Sequence, residues 1–115
     1  DEEVRIDVVL ALRLVGREAV PVLVKALKDK NDDVRANTCV ALGKMGADAK
    51  GAVPALAGLL TNKNPAVRAQ AAEALGAIGP AAKSAAPALK EAKGDLVEAV
   101  RKAAAAALER VEGGK

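Results

Sequence analysis

The chain has 115 residues, with 18 Lys and Arg against 15 Asp and Glu for a formal charge of +3, and it contains no His, Phe, Tyr or Trp. Without histidine there is no imidazole to act as base, acid or metal ligand, and without aromatic rings the usual stacking platform for single-stranded nucleic acid is missing. No apolar run reaches the roughly 18 residues of a membrane-spanning helix, and the start Asp1-Glu2-Glu3 is unlike a signal peptide, so a soluble, cytoplasmic protein with no membrane partner is expected.

The first expected element is a helix over residues 1–16. Val4, Val8, Ala11, Leu12 and Val15 make one apolar stripe, and Ile6, Leu10 and Leu14, one turn apart, make a second. A helix apolar over so much of its circumference needs cover on more than one side. Three covers compete: a preceding helix cut away, a second copy of the chain in a homodimer, or an amphipathic helix from another protein. The lack of an initiator Met and the ending Gly113-Gly114-Lys115 suit a piece of a longer chain.

Three helix pairs follow, over 17–46, 47–79 and 80–112, so that the whole chain forms a single domain with residues 1–16 as half a unit. Each pair opens on a first helix at about Val20, Val53 or Ala86, with Pro21, Pro54 or Pro87 in its first turn or at a kink. Turn and N-cap residues come next, as in Asn31-Asp32-Asp33 and Asn62-Lys63-Asn64-Pro65. The second helices carry the stripes Val34, Thr38, Ala41, Leu42, Met45; Val67, Ala71, Ala74, Leu75, Ile78; and Val100, Ala104, Ala107, Leu108, Val111. Gly46 and Gly79 suit left-handed helix C-caps. In the last pair Lys93 takes the place of Leu27 and Leu60, and Leu96 is expected to replace the lost leucine.

The prolines and the pairs Val34-Arg35, Val67-Arg68 and Val100-Arg101 recur every 33 residues, and residues 34–66 match 67–99 at 14 of 33 positions without a gap. A repeat of this length predicts an all-α solenoid in which each unit buries its apolar face against its neighbours. The core has to be Leu, Val, Ile and Ala, whose small side chains bring helices close together.

Little in the chain suggests catalysis, so no enzyme, metal site or cofactor is expected. Cys39 has no histidine beside it and sits next to the buried stripe, as a small apolar filler. The loop Asp29–Asp33 lacks the glycine and terminal glutamate of a calcium loop. Glu109 and Glu112 share an exposed helical face without an apolar pocket. Gly43 and Gly76 lie inside helices with no following Lys-Ser or Lys-Thr, which fits close helix packing better than a phosphate loop.

Ala-Val-Pro-Ala-Leu (residues 52–56), Val67-Arg68 and Glu-Ala-Leu-Gly-Ala-Ile-Gly-Pro (73–80) resemble HEAT repeats, particularly the short variety first noted in phycobilin lyase subunits. The resemblance covers nearly the whole chain. It implies a right-handed α-solenoid of stacked antiparallel helix pairs, with first helices on the convex side and second helices on the concave side. It also implies a structural ladder in which Arg35, Arg68 and Arg101 meet Asp29, Asn62 and Asp95, the middle rung weakened by Asn62 in place of Asp. The concave residues Asn37, Val40, Lys44, Gln70, Glu73, Ala77, Ala103 and Arg110 become the candidate surface for a protein or peptide partner. The expected function is a non-catalytic interaction scaffold. Alternatives are an accessory subunit of an enzyme, as in the lyase relatives, and contact with a nucleic-acid backbone through lysines of the outer helices and turns.

Overall fold

A computed structural model of the protein describes residues 16–113. Among the described residues six α-helices form three antiparallel pairs: α1 (Val20–Ala26) with α2 (Asp32–Met45), α3 (Val53–Gly58) with α4 (Pro65–Ile78), and α5 (Ala86–Ala92) with α6 (Glu98–Val111). No strand occurs among the described residues, and the architecture is an all-α solenoid. The stripes predicted for the first helix, including Ile6, Leu10 and Leu14, lie outside the described residues.

Each first helix is entered through a tight 3-10 segment: Gly16–Ala19, Gly46–Ala52 and Gly79–Ala85. Pro21, Pro54 and Pro87 then stand in the first turn of α1, α3 and α5, where the missing N–H has no intrahelical acceptor to lose. The proline thus marks the change from 3-10 to α winding, and in the third pair the 3-10 segment is itself kinked at Ala82 (φ −98°, ψ 18°).

The second helices start on side-chain caps. Asn31 Oδ1 accepts from the N–H groups of Asp33 (2.7 Å) and Val34 (3.2 Å), and Asn64 Oδ1 accepts from Ala66 N–H (2.8 Å). At the same place before α6 stands Val97, which offers no side-chain cap. α2 and α4 end on Gly46 (φ 61°, ψ −137°) and Gly79 (φ 78°, ψ −145°). Their positive φ is as the sequence suggests, but ψ is far from the left-handed helical value. The chain turns there into backbone space that only glycine enters cheaply, because the new 3-10 segment leaves at a steep angle.

The core runs along the stack between the two helix layers. Leu23, Leu56 and Leu89 recur at the repeat interval on the first helices, are fully buried, and share one core with Leu42, Leu75 and Leu108 of the second. Burying each leucine contributes roughly 1.5–3 kcal/mol. The polar exception is Thr38, whose Oγ1 donates to the Val34 carbonyl at 2.6 Å, so its hydroxyl is satisfied inside its own helix. Met45, placed by periodicity in the buried stripe, is only half-buried at the end of α2.

Small residues set the spacing of the second helices. A methyl group at Gly43 would stand 3.3 Å from Ala74 Cα, and one at Gly76 would stand 3.0 Å from Ala107 Cα. These glycines let the α2/α4 and α4/α6 backbones approach within touching distance.

One expectation fails at the C-terminal pair. Leu96 is 95% exposed and does not fill the place left by Lys93. The Asp95 carboxylate accepts Val97 N–H at 2.9 Å, and this tight turn holds residue 96 at its tip, where Lys30 and Lys63 stand in the earlier turns.

Candidate functional site

The three arginines at the starts of the second helices fold back over their own turns. Arg35 Nη1 donates to the Asp29 carbonyl, Arg68 Nη1 to the Asn62 carbonyl (2.8 Å) and Arg101 Nη1 to the Asp95 carbonyl (2.8 Å). The side chains at 29, 62 and 95 do another job: each accepts the N–H two residues later, at 2.8, 2.8 and 2.9 Å, and so closes the turn. Asn and Asp serve equally for that purpose.

The link between repeats differs from rung to rung. Arg68 makes a bidentate pair with Asp95 of the next repeat, Nε to Oδ2 at 2.8 Å and Nη2 to Oδ1 at 3.0 Å, with both side chains largely covered. Arg35 instead pairs with Asp32 of its own helix, and the link to the following repeat passes from Asp32 Oδ2 to Asn64 Nδ2 at 2.9 Å. The hydrogen bonds from Arg68 first, then from Val97 N–H, hold the Asp95 carboxyl below its usual range. Those from Arg35 and then Asn64 do the same for Asp32. The guanidinium donors of Arg35 and Arg68 are therefore engaged within the protein.

The face formed by α2, α4 and α6 is freer. Between α2 and α4 lies a shallow cleft of about 210 Å³ lined by Val40, Lys44, Gln70, Glu73 and Ala77, with Gly43 and Ala74 in its floor. Between α4 and α6 lies a second, of about 680 Å³, where Glu73 and Ala77 recur beside Ala103 and Arg110. The two clefts adjoin along α4, where both are lined by Glu73 and Ala77, and together make up the groove face of the three helices. Seven of the eight residues named from the sequence line it; Asn37 is exposed on α2 outside both clefts.

The sequence reading missed Gly76, Ala99, Lys102 and Ala106, which also line the second cleft. No residue on its own carried that signal, because the second cleft follows from the close approach of α4 and α6 at Gly76. The groove floor is alanine and glycine with Val40, 41% exposed, as its largest apolar side chain. Lys44 and Arg110 supply positive charge near Glu73, while Lys102 pairs with Glu98 of its own helix at 3.5 Å. The surface is open and shallow, with small apolar side chains in its floor and Lys44, Gln70, Glu73, Lys102 and Arg110 around them.

Cys39 lies beneath this face, fully buried, and loss of solvent pushes its thiol up to about 12. It is thus a packing residue without thiolate character at neutral pH. Glu109 and Glu112 are exposed. Among the described residues no group of three or more Cys, Asp or Glu side chains could hold a metal ion, and no helix is long and apolar enough to cross a membrane.

A family model described as HEAT repeats matches residues 1–52 and 46–109. No curated protein matches the sequence. Among solved structures, an engineered protein shares the fold with a TM-score of 0.71 at 29% identity, over 84% of this chain and 47% of that one. The complex of CpcE and CpcF of phycocyanin lyase from Nostoc sp. PCC7120 is similar with a TM-score of 0.71 at 25% identity, over 91% of this chain and 66% of that chain. The chain therefore spans about half the length of the first and just under two thirds of the second.

Proposed function

We propose that this chain, which belongs to the HEAT-repeat family, works as a non-catalytic module that holds a protein or peptide partner in the groove across α2, α4 and α6. The observation that carries the reading is the adjacency of the two clefts along α4. Two adjoining clefts share Glu73 and Ala77, while the arginines beside them are tied to their own turns. A floor without aromatic side chains gives each contact little area, so affinity comes from length of engagement rather than from one anchor.

A phage-displayed library of random short peptides, selected on the intact protein, tests this reading. Peptides held by the groove should be lost on Ala77→Arg, which places a long cation at the shared point of both clefts on an exposed helical position. Binders indifferent to Ala77→Arg would count against the groove.

The likeness to the phycocyanin lyase complex supports a second reading, an accessory subunit that acts only beside a catalytic or paired helical subunit. Enzyme activity that appears only when this chain is added to a second protein, and that fails with Ala77→Arg, would favour it. Steep salt dependence of binding to random duplex DNA would instead favour contact with a nucleic-acid backbone.

A further inference from the structure

The last turn, between α5 and α6, departs from the two turns before it, and its departures surround one cleft. This cleft, of about 450 Å³, lies between α3 and α5 at the turn edge of the stack, away from the groove across the second helices. Its apolar wall comes from Ala57, Leu60, Ala88, Ala92 and Leu96.

Substitutions between repeats open it. Leu59 packs partly buried against the core, and one repeat later its position is Ala92. Thr61 becomes Gly94, and Leu60 becomes the exposed Lys93. Further substitutions make the rim apolar: Lys63 becomes Leu96, 95% exposed, and the capping Asn64 becomes Val97, which leaves α6 without a side-chain cap. The lost cap costs stability, and Leu96 leaves an apolar side chain in water where the earlier turns carry lysine. Local rules broken in this way are expected where a surface serves recognition.

Charge narrows the occupant. Arg68 and Asp95, both lining the cleft, neutralise each other through their bidentate pair. Among the charged side chains that line the cleft, the exposed Glu91 carboxylate is then the one with no ion pair among the described residues, where Lys25 and Gly58 stand in the earlier repeats; the exposed Lys93 does not line the cleft. We propose that this cleft is a second docking site, for a partner segment that inserts an aliphatic side chain between Leu60 and Leu96 and places a Lys or Arg beside Glu91. It does not depend on the groove across α2, α4 and α6.

The test uses a phage-displayed library of random short peptides against the intact protein and three variants. Ala92→Leu puts into the cleft wall the leucine that stands one repeat earlier at Leu59, Leu96→Ser removes the rim at an exposed position, and Glu91→Lys inverts the charge. Peptides with an aliphatic residue within one turn of a Lys or Arg should be enriched, and their retention should fall about tenfold on Ala92→Leu and on Leu96→Ser, the loss expected for a central anchor. Selection on Glu91→Lys should replace the basic residue by Asp or Glu. Peptides lost on Ala77→Arg alone belong to the other groove. The proposal is overturned if no peptide is enriched, if enriched peptides bind Ala92→Leu and Leu96→Ser as well as the parent, or if their charge ignores Glu91. It is equally overturned if light scattering shows a dimer that Leu96→Ser dissociates, since a second copy then covers the cleft. Circular-dichroism melts of Leu96→Ser, altered only at an exposed side chain, separate loss of binding from loss of fold.

Discussion

Replacing glycine by alanine at three helical positions should give three different signs, because the three sites leave different room for one methyl group. At Gly58, helical at φ −63° and ψ −30°, nothing lies within 4 Å of the added carbon. The gain there is the helix preference of alanine alone, about 0.4–1 kcal/mol. At Gly43 the methyl meets Ala74 Cα at 3.3 Å and Ala77 Cβ at 3.4 Å. Carbon contacts relax at about 3.5–4.0 Å, so a small shift of α4 suffices and the strain offsets the helix gain, leaving stability within about 0.5 kcal/mol of the parent. At Gly76 the methyl stands 3.0 Å from Ala107 Cα and 3.1 Å from its Cβ. Neither atom can rotate away, so all of α6 must retreat by about 0.5 Å or more. Overpacking of this kind costs about 1–3 kcal/mol, which exceeds the helix gain and leaves Gly76→Ala about 1 kcal/mol less stable than the parent. Urea unfolding followed by far-ultraviolet circular dichroism suits a chain with no Trp or Tyr. An order of stability with Gly76→Ala equal to or above Gly58→Ala would refute the reasoning, since the α4/α6 contact would then have slack that the close approach at Gly76 denies.

Leu56→Ala, at a fully buried position of α3, should cost about 2–5 kcal/mol by calorimetry or urea, while the exposed Leu96→Ser should change stability by less than about 0.5 kcal/mol. Asp95 carries a carboxyl held below its usual range by Arg68 and Val97, so its stabilisation is fully present above the unfolded value of about 4 and is lost as pH falls through the lower folded value. The melting temperature should therefore drop on acidification below about pH 4, and Asp95→Asn, which keeps the turn as Asn62 does, should flatten that drop. Cys39 should react with a thiol reagent only when α2 opens, at a rate that rises with urea; prompt reaction in the native protein would contradict its burial.

The architecture was legible because one register governs every element. Pro54, Asn64, Val67, Leu75 and Gly79 each have a physical task at a fixed place in the repeat, and a recurring task can be read without coordinates. The 3-10 winding of 46–52 and 79–85 was hidden because alanine and lysine suit either winding, and only the turn at Gly46 and Gly79 decides between them. The groove was legible as exposed positions on the second helices, but its floor was not. That floor depends on how closely α4 and α6 approach, a consequence of Gly76 meeting Ala107 rather than of either residue alone. The arginine links were half legible. Arg68 finds Asp95 across the repeat, whereas Arg35 turns to Asp32 because the next repeat offers Asn62, a neutral side chain already closing its own turn. Leu96 was misread for a general reason: hydrophobicity suggests burial, yet the turn closed by Asp95 fixes where the side chain goes.

The claim that the face of α2, α4 and α6 holds the partner is tested most directly by titrating a groove-selected peptide into nitrogen-15-labelled protein and following the amide resonances. The account predicts shifts concentrated at Val40, Gln70, Glu73, Ala77 and Ala103, absent in Ala77→Arg. Shifts confined to α1, α3 and α5, or equal shifts in Ala77→Arg, would contradict it.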